Sequence, residues 1–581
     1  STPLSGAAIT RLARIALFYQ LQGPLSNPKI YIKIRKMFNH FFNHRTQTIA
    51  LAALVMFLSN LVSRFLGLIR DRLLASQFGA GEELDIYFTA FRIPDFVYGI
   101  IIVGGIVAVF LPVFAEYRKR SEKEAWELTN NVLNCFLVLL VIVCGILAIF
   151  TPSLMKFIAP GFSGAQKDLT ISLTRIMFLS PIFFGLSSIF SGVLHYFHSF
   201  LVYAIAPILY NLSIIAGILF FVPFFGIFGL AYGVVLGAFL YWISQIPAAK
   251  KSGFKYLPLL NFKHPGLLKI FTLMIPRTIG SAAYYLNLIV VTAIASTLGP
   301  GSISIFNFAN NLQYLPIGLV GISFATVVFP NLSQSWVEGA KDKFILYFSS
   351  TFRQILFLIV PLSALMFILS FQIVRLVLGT GEFDLAATSL TSSSLGLFCF
   401  GIFAFTFIPF LARVFYSFQD TKTPAIIGAA SMILNVFLAF FLVWLFNFPN
   451  SVEFFIKNIF NLENFQNIAI LALPLSFSLA GIFQFVLLLI FLKRKLGELR
   501  GGEIWQSFFK ILLGAIFMTI ATYLSIQSIS PFLNIQTFTG LLIQTIFSAL
   551  IGGLVYIFSL LFLGSSEGKR FLSFLKLKRN L

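Results

Sequence analysis

Apolar residues fall in blocks of twenty or so along almost the whole chain, separated by short polar segments. A block of that length crosses the roughly 30 Å hydrocarbon core of a bilayer as a helix. Backbone groups inside lipid must be paired within their own segment, which an uninterrupted helix achieves. The pattern predicts spans near 48–69, 85–115, 129–150, 171–195, 203–222, 226–247, 267–296, 303–330, 346–370, 388–412, 424–446, 468–492, 508–528 and 538–563. The expected fold is an all-α polytopic membrane protein of about fourteen transmembrane helices.

Composition agrees: of 581 residues, 58% are hydrophobic and 10% charged, outside the range of soluble domains. The net charge of +21 could suggest nucleic acid, but the cations form no single basic domain. They recur in short inter-span loops, at Arg118–Lys123, Lys250–Lys263, Lys341–Lys343, Lys493–Lys495 and Lys569–Arg579, and in the leader from Lys29 to Arg45. With fourteen spans all of these clusters fall on one side, which the positive-inside rule makes the cytoplasm, with both termini inside. Residues 29–45 mix cations with Ile, Phe and Tyr. That suits an amphipathic helix on an anionic leaflet and equally an ordinary juxtamembrane flank. No cleavable signal-peptide core is evident in the first 46 residues. Cys135, Cys144 and Cys399 lie in apolar spans and suggest neither a disulfide nor a metal site.

Landmarks repeat about 220 residues apart. FLPVFAEY (110–117) is matched by VFPNLSQS (328–335), IAPGF (158–162) by LGTGEF (378–383), and HYFHSFLVYAIAPILYN (195–211) by FYSFQDTKTPAIIGAASMILN (415–435). An even number of spans separates the copies, so both halves share one orientation and are related by an axis along the membrane normal. This divides the chain into a leader (1–46), a first six-helix lobe (47–250), a second (251–495), and two appended helices with a basic tail (496–581). Such parallel repeats build two bundles around a central cavity.

The charges inside spans concentrate in the first two. Ser63, Arg64, Arg70, Asp71, Arg72, Asp85, Arg92 and Asp95 sit on or between helices that otherwise read as lipid-soluble. An Arg or Asp at mid-bilayer costs about 2.5–3.5 kcal/mol on insertion scales, so these groups should face water or each other. On an ideal helix Arg64 and Asp71 share a face, with Arg70 about 120° away, and Arg92 can reach Asp95 at i+3. An arginine left partly unneutralised in a low-dielectric cavity attracts phosphate or carboxylate through paired, charge-assisted hydrogen bonds. The candidate substrate site is therefore Ser63, Arg64, Arg70, Asp71, Asp85 and Arg92, with Arg277 as a further anion contact or a snorkelling residue. Arg72 reads better as a helix cap. Pro94 with Gly104 and Gly105 predicts a kink in a long second span. His195 and His198 lack a third metal ligand and read as interfacial.

In SRFLGLIRD (63–71), FGAG…FTAFRIPD (78–95), FLPVFAEY, IAPGF, LTRIMFLSP (173–181), HSFLVYAIAPILYNLSII (198–215), MIPRTIG (274–280), LPIGLVGISFATVVFPNLS (315–333) and FYSFQDTKTP (415–424), the chain resembles the bacterial lipid II flippases (MurJ, also called MviN). These belong to the superfamily of multidrug, oligosaccharidyl-lipid and polysaccharide exporters. The resemblance implies a V-shaped pair of lobes, a central cationic cavity in which Arg64, Arg70 and Asp85 match cavity residues, and a lipid-linked sugar as substrate. It also implies an inner-membrane location and a setting beside the cell-wall synthesis machinery, with membrane lipids as surroundings and a monomer as the working unit. The chain departs from the family at Tyr98 and Asn311, which stand where arginines are usual, and at Val103, where an acid is usual. Some members are thought to bind sodium through an Asn and an acid four residues later; here Asn435 is followed by Ala439.

The expected function is alternating-access translocation of undecaprenyl-pyrophosphate-linked peptidoglycan precursor, without ATP, since no GxxxxGK[ST] loop is present. The competing readings are a flippase for another polyprenyl-linked glycan and a cation-coupled antiporter of the same superfamily. The antiporter would need acids in the second half, where Asp384 and Asp420 lie only at span ends. An enzyme would need a general base or nucleophile beside a groove, and no span-embedded His–acid pair or paired carboxylates are present. No cofactor or metal is expected.

Overall fold

The computed structural model describes residues 49–100, 106–465, 467–497 and 499–570; the leader and the basic tail beyond residue 570 lie outside them. The described chain is helical throughout, and eleven of its helices are long and apolar enough to cross a membrane. The other three predicted spans are the first, the second and the seventh. Helix α1 (Ile49–Phe78) carries the buried charges. The second span is divided into α2 (Glu82–Ala90), α3 (Arg92–Tyr98) and α4 (Val107–Arg120). Helix α10 (Pro265–Ala295) runs unbroken for 31 residues.

The first bundle continues through α5 (Glu122–Ile158), α6 (Gly164–Met177), α7 (Leu179–Tyr196), α8 (Phe200–Ala216) and α9 (Phe228–Ile243). The second runs from α10 through α11 (Ser302–Pro316), α12 (Ser323–Val337), α13 (Lys341–Ile368), α14 (Leu385–Ser417), α15 (Lys422–Phe446) and α16 (Ala472–Leu496). The two bundles use one packing plan. Helix α1 packs on α8 as α10 packs on α15, α5 on α7 as α13 on α14, and α7 on α9 as α14 on α16. That correspondence is what a parallel repeat demands, because equivalent helices must bury equivalent faces.

Small residues set how closely helices approach. A Cβ on Gly217 would lie 2.8 Å from the Gly233 Cα, so α8 and α9 meet backbone to backbone, the contact that helices in lipid favour. Both second spans depart from α-geometry after a proline. The chain turns at Phe91, just ahead of Pro94, and takes π-type hydrogen bonding at Gly99, Ile100 and Ile106; the equivalent departure after Pro316 is a π-turn over Ile317–Ile322. The expected kink therefore has a local cause at Pro94, while Gly104 and Gly105 fall outside the described residues.

Helices α17 (Gly501–Ile529) and α18 (Phe538–Phe562) form a hairpin against α13. Its inner corner is held by Arg353, which reaches Glu567 at 3.3 Å and Glu503 at 3.4 Å. At the basic-loop face, Asn130, Asn131 and Asn134 of α5 bind backbone groups of Lys255, Leu257, Leu259 and Asn261, strapping the connection between the bundles to the first. Asp420, in a loop at the same face, pairs with Lys495 at 2.9 Å. Partial burial opposes ionisation there, but the Thr423 N–H and the lysine outweigh it and hold the carboxyl below its ordinary value.

The bundles meet at the basic-loop face, where Lys269 of α10 pairs with Glu116 of α4 at 2.6 Å and Phe271 stacks on Phe136, and again at the opposite face. Arg72 donates to the carbonyls of Leu376 and Val377, at the end of helix Ser370–Val377, where cations suit the helix dipole. The Glu382 N–H donates to the Ser76 carbonyl at 3.0 Å, and the Gly161 N–H to Ser296 Oγ at 3.1 Å. That face is closed.

Candidate functional site

The charged face of α1 lines a cavity of about 260 Å³ between the bundles, walled by Arg64, Arg70 and Asp71 from α1 and by Tyr284, Asn310 and Tyr314 from α10 and α11. Three of the sequence-derived residues thus meet in one space. Arg70 is more neutralised than helix spacing implied. Its Nε and Nη2 both donate to Asp71 Oδ1, at 3.0 and 2.8 Å, because rotamers of adjacent long side chains can converge although their Cβ atoms diverge. The other Asp71 oxygen accepts from Asn311 at 3.0 Å. Asn311, standing where the family usually has an arginine, keeps the link across the bundles but adds no charge.

Of the two arginines that wall the cavity, Arg64 has no carboxylate partner among the described residues; its guanidinium lies 5.9 Å over the Tyr314 ring. It rests on the π-turn of the second bundle, where a Cβ added at Gly318 would lie 2.7 Å from Arg64 Cζ. Gly318 is therefore the seat of the guanidinium, and the shape of that seat follows from the absence of a side chain. Gly318→Val should displace Arg64 and cut transport at least tenfold with protein abundance unchanged. Transport equal to wild type in a quantitative complementation assay would reject that role.

Ser63 enters the site indirectly. Its hydroxyl and carbonyl accept from Asn211 Nδ2 at 3.1 and 3.3 Å, and Asn211 Oδ1 accepts from Arg70 Nη1 at 3.3 Å. Asn211, on α8, is a site residue that sequence reasoning passed over within a quoted run. Its signal was a carboxamide alone in an apolar span. Tyr284 and Tyr314 carried no such signal, since tyrosines abound here.

Two candidates lie outside the walls of this cavity. Asp85 does not face the cavity: it is 1% exposed and accepts from the Gly301 N–H at 2.7 Å, the Ser304 N–H at 2.8 Å and Ser304 Oγ at 2.7 Å. A carboxylate at the start of α11 satisfies donors that the helix cannot pair and complements its dipole. Arg92 reaches the second bundle, donating to Thr292 Oγ1 at 2.6 Å and Asn307 Oδ1 at 2.7 Å, and is almost wholly buried. Both are inter-bundle fasteners. Arg277 lies in α10, but its side chain is outside the described residues. His195 packs edge-on to Tyr203 and Phe200. Among the described residues no group of His, Cys, Asp or Glu could hold a metal ion.

A cationic cavity enclosed by two repeat-related bundles of membrane-length helices defines a two-bundle membrane transporter. A profile of the lipid II flippase MurJ family matches residues 74–543. A probable lipid II flippase MurJ of Buchnera aphidicola subsp. Acyrthosiphon pisum is 30% identical over 516 residues, covering 87% of this chain and 96% of that protein. The lipid II flippase MurJ of Burkholderia cenocepacia is 30% identical over 384 residues, covering 64% and 74%. Among solved structures, lipid II flippase MurJ in an inward closed conformation superposes with a TM-score of 0.69 at 25% identity, covering 87% of this chain and 98% of that one. An inward-facing multidrug-resistance MATE transporter of the MOP superfamily shares the fold, with a TM-score of 0.63 at 14% identity over 75% of this chain and 96% of that one. The chain belongs to the lipid II flippase MurJ family.

Proposed function

We infer that this protein moves lipid II, the undecaprenyl-pyrophosphate-linked peptidoglycan precursor, from the inner to the outer leaflet of the bacterial cytoplasmic membrane by alternating access. The observation that carries the reading is Arg64 together with Arg70 in the inter-bundle cavity of a member of this family. The pyrophosphate is the most acidic part of the head group, and a guanidinium fork binds it in paired hydrogen bonds. Arg64 takes the phosphate directly. Arg70 exchanges part of its bond to Asp71 for one to the substrate. The polyprenyl tail stays in lipid beside the bundles, near the α17–α18 hairpin. With the basic loops and both termini in the cytoplasm, the face fastened by Arg72, Asp85 and Glu382 is the outer one. A monomer suffices for this cycle, since both walls of the cavity come from one chain.

The antiporter reading finds no support. Asn435 donates to Asn287 at 2.7 Å and Ala439 is fully buried, so carboxamides and methyl groups stand where exchange of a proton or sodium would want carboxylates.

Expression of this chain should restore growth to a bacterium depleted of its own lipid II flippase, with lipid II appearing on the outer leaflet at a rate tracking protein amount. Correct membrane insertion without any outer-leaflet lipid II would overturn the reading.

A further inference from the structure

A second cavity of about 330 Å³ opens in the second bundle beside the arginine cavity, and the two share Tyr284, Asn310 and Tyr314 as a common wall. Its chemistry is different. Every residue that lines it is uncharged, and carboxamides recur around it: Asn287, Asn310, Gln313, Asn435 and Gln484. Two of these are held in the same way. Gln313 spends its amide N–H on Asn310 at 2.9 Å, and Asn435 spends its own on Asn287 at 2.7 Å. The carbonyl oxygens, Gln313 Oε1 and Asn435 Oδ1, are left without a protein hydrogen-bond partner and lie just behind the cavity surface, the residues being only 2% and 1% exposed, so a donor in the cavity reaches them when the side chains turn toward it. An unpaired buried acceptor costs about 1–3 kcal/mol, a cost removed when a donor arrives.

The missing partner must donate hydrogen bonds, carry no charge and offer an apolar face. A phosphate fails the first condition, because it only accepts. A cation fails the second, because no carboxylate in the wall would offset its desolvation. The charged groups of a peptide fail for the same reason. A pyranose ring of an N-acetylated sugar meets all three: hydroxyl and acetamido N–H groups for the orphaned oxygens, and a C–H face for Tyr284, Tyr314 and Phe477. The volume lies at the lower end of small-ligand sites, about 300–1,000 Å³, and suits one ring better than a whole head group. Connectivity adds the last step. The first sugar is bonded to the pyrophosphate, so a phosphate held by the arginines places that sugar at the shared wall.

We propose that this carboxamide-lined cavity of the second bundle is the subsite for the sugar nearest the pyrophosphate, with Gln313 and Asn435 as its acceptors. The proposal rests on the flippase reading and is separable from it. Binding is measured on the full chain in lipid nanodiscs with two probes, undecaprenyl pyrophosphate and undecaprenyl pyrophosphate carrying a single N-acetylglucosamine. Wild type should bind the glycosylated probe about tenfold more tightly. Gln313→Leu and Asn435→Leu should each bring that ratio close to one, while Arg64→Ala should weaken both probes together. Thermal unfolding verifies each variant, and Gln484→Leu, at a half-buried position in the same wall, should lower the ratio if the more buried variants misfold. A ratio of one in wild type, a ratio that survives the folded substitutions, or a preference that appears only with added sodium overturns the subsite. Failure of wild type to bind either probe overturns the flippase reading as well.

Discussion

Arg64→Ala should abolish lipid II translocation while leaving the protein folded and abundant. Hydrogen bonds to charged groups contribute about 1.5–3 kcal/mol each, so losing a paired contact to phosphate weakens substrate binding by about 3 kcal/mol, or about a hundredfold. Little stability is lost, because Arg64 pairs with no carboxylate among the described residues and is only partly buried. Arg70→Ala should also stop transport, with a different signature. It strips Asp71, which is 4% exposed, of its ion pair and leaves it Asn311 alone. Breaking a buried pair costs about 3–5 kcal/mol, so abundance should fall with activity. The double variant Arg70→Ala/Asp71→Asn removes the stranded charge and should recover abundance without recovering transport. Outer-leaflet lipid II at wild-type rates in the Arg64→Ala strain would dismiss the cavity as the phosphate site. Recovery of transport by the double variant would reduce Arg70 to a structural partner.

The difference between these arginines explains what could be read from the chain and what could not. Hydrophobic block length reports directly on the bilayer, so helices, their order and the duplication were legible. Charge inside those blocks pointed to α1 because insertion is costly there wherever no partner exists. Partners themselves were not legible. Helix spacing placed Arg70 away from Asp71, yet rotamer freedom joins them. Arg92 was read against Asp95 on its own span, whereas its partners, Thr292 and Asn307, and those of Asp85, Gly301 and Ser304, lie more than 190 residues away. Asn211 and Gln313 were harder still, since a carboxamide in a span costs too little to announce itself and declares its role only through what its two ends touch.

Asp85→Ala should open the outer face. Three donors at the start of α11 converge on this carboxylate, and it spans the bundles where Ala80 and Gly301 already touch so closely that a Cβ on Gly301 would clash with the Ala80 backbone. Nothing else in the substituted protein can satisfy those donors while the face stays closed, whereas water satisfies them once it opens. The loss therefore falls on one conformation, which is what shifts an equilibrium. With bonds to an ionised acceptor at about 1.5–3 kcal/mol each and part of that recovered by local water, closure weakens by about 3 kcal/mol, near a hundredfold in the closed-to-open ratio. A cysteine placed at Ala80 reads this directly, since the native thiols at Cys135, Cys144 and Cys399 are buried. Labelling by a membrane-impermeant maleimide should accelerate strongly in Asp85→Ala and modestly in Asp85→Asn, whose amide oxygen still accepts. Transport should fall even though Arg64 and Arg70 are intact, because a protein held open to the outside no longer receives substrate from within. Unchanged labelling together with lost transport would return Asp85 to the substrate site, since a cavity acid acts on binding and leaves the outer face as it was.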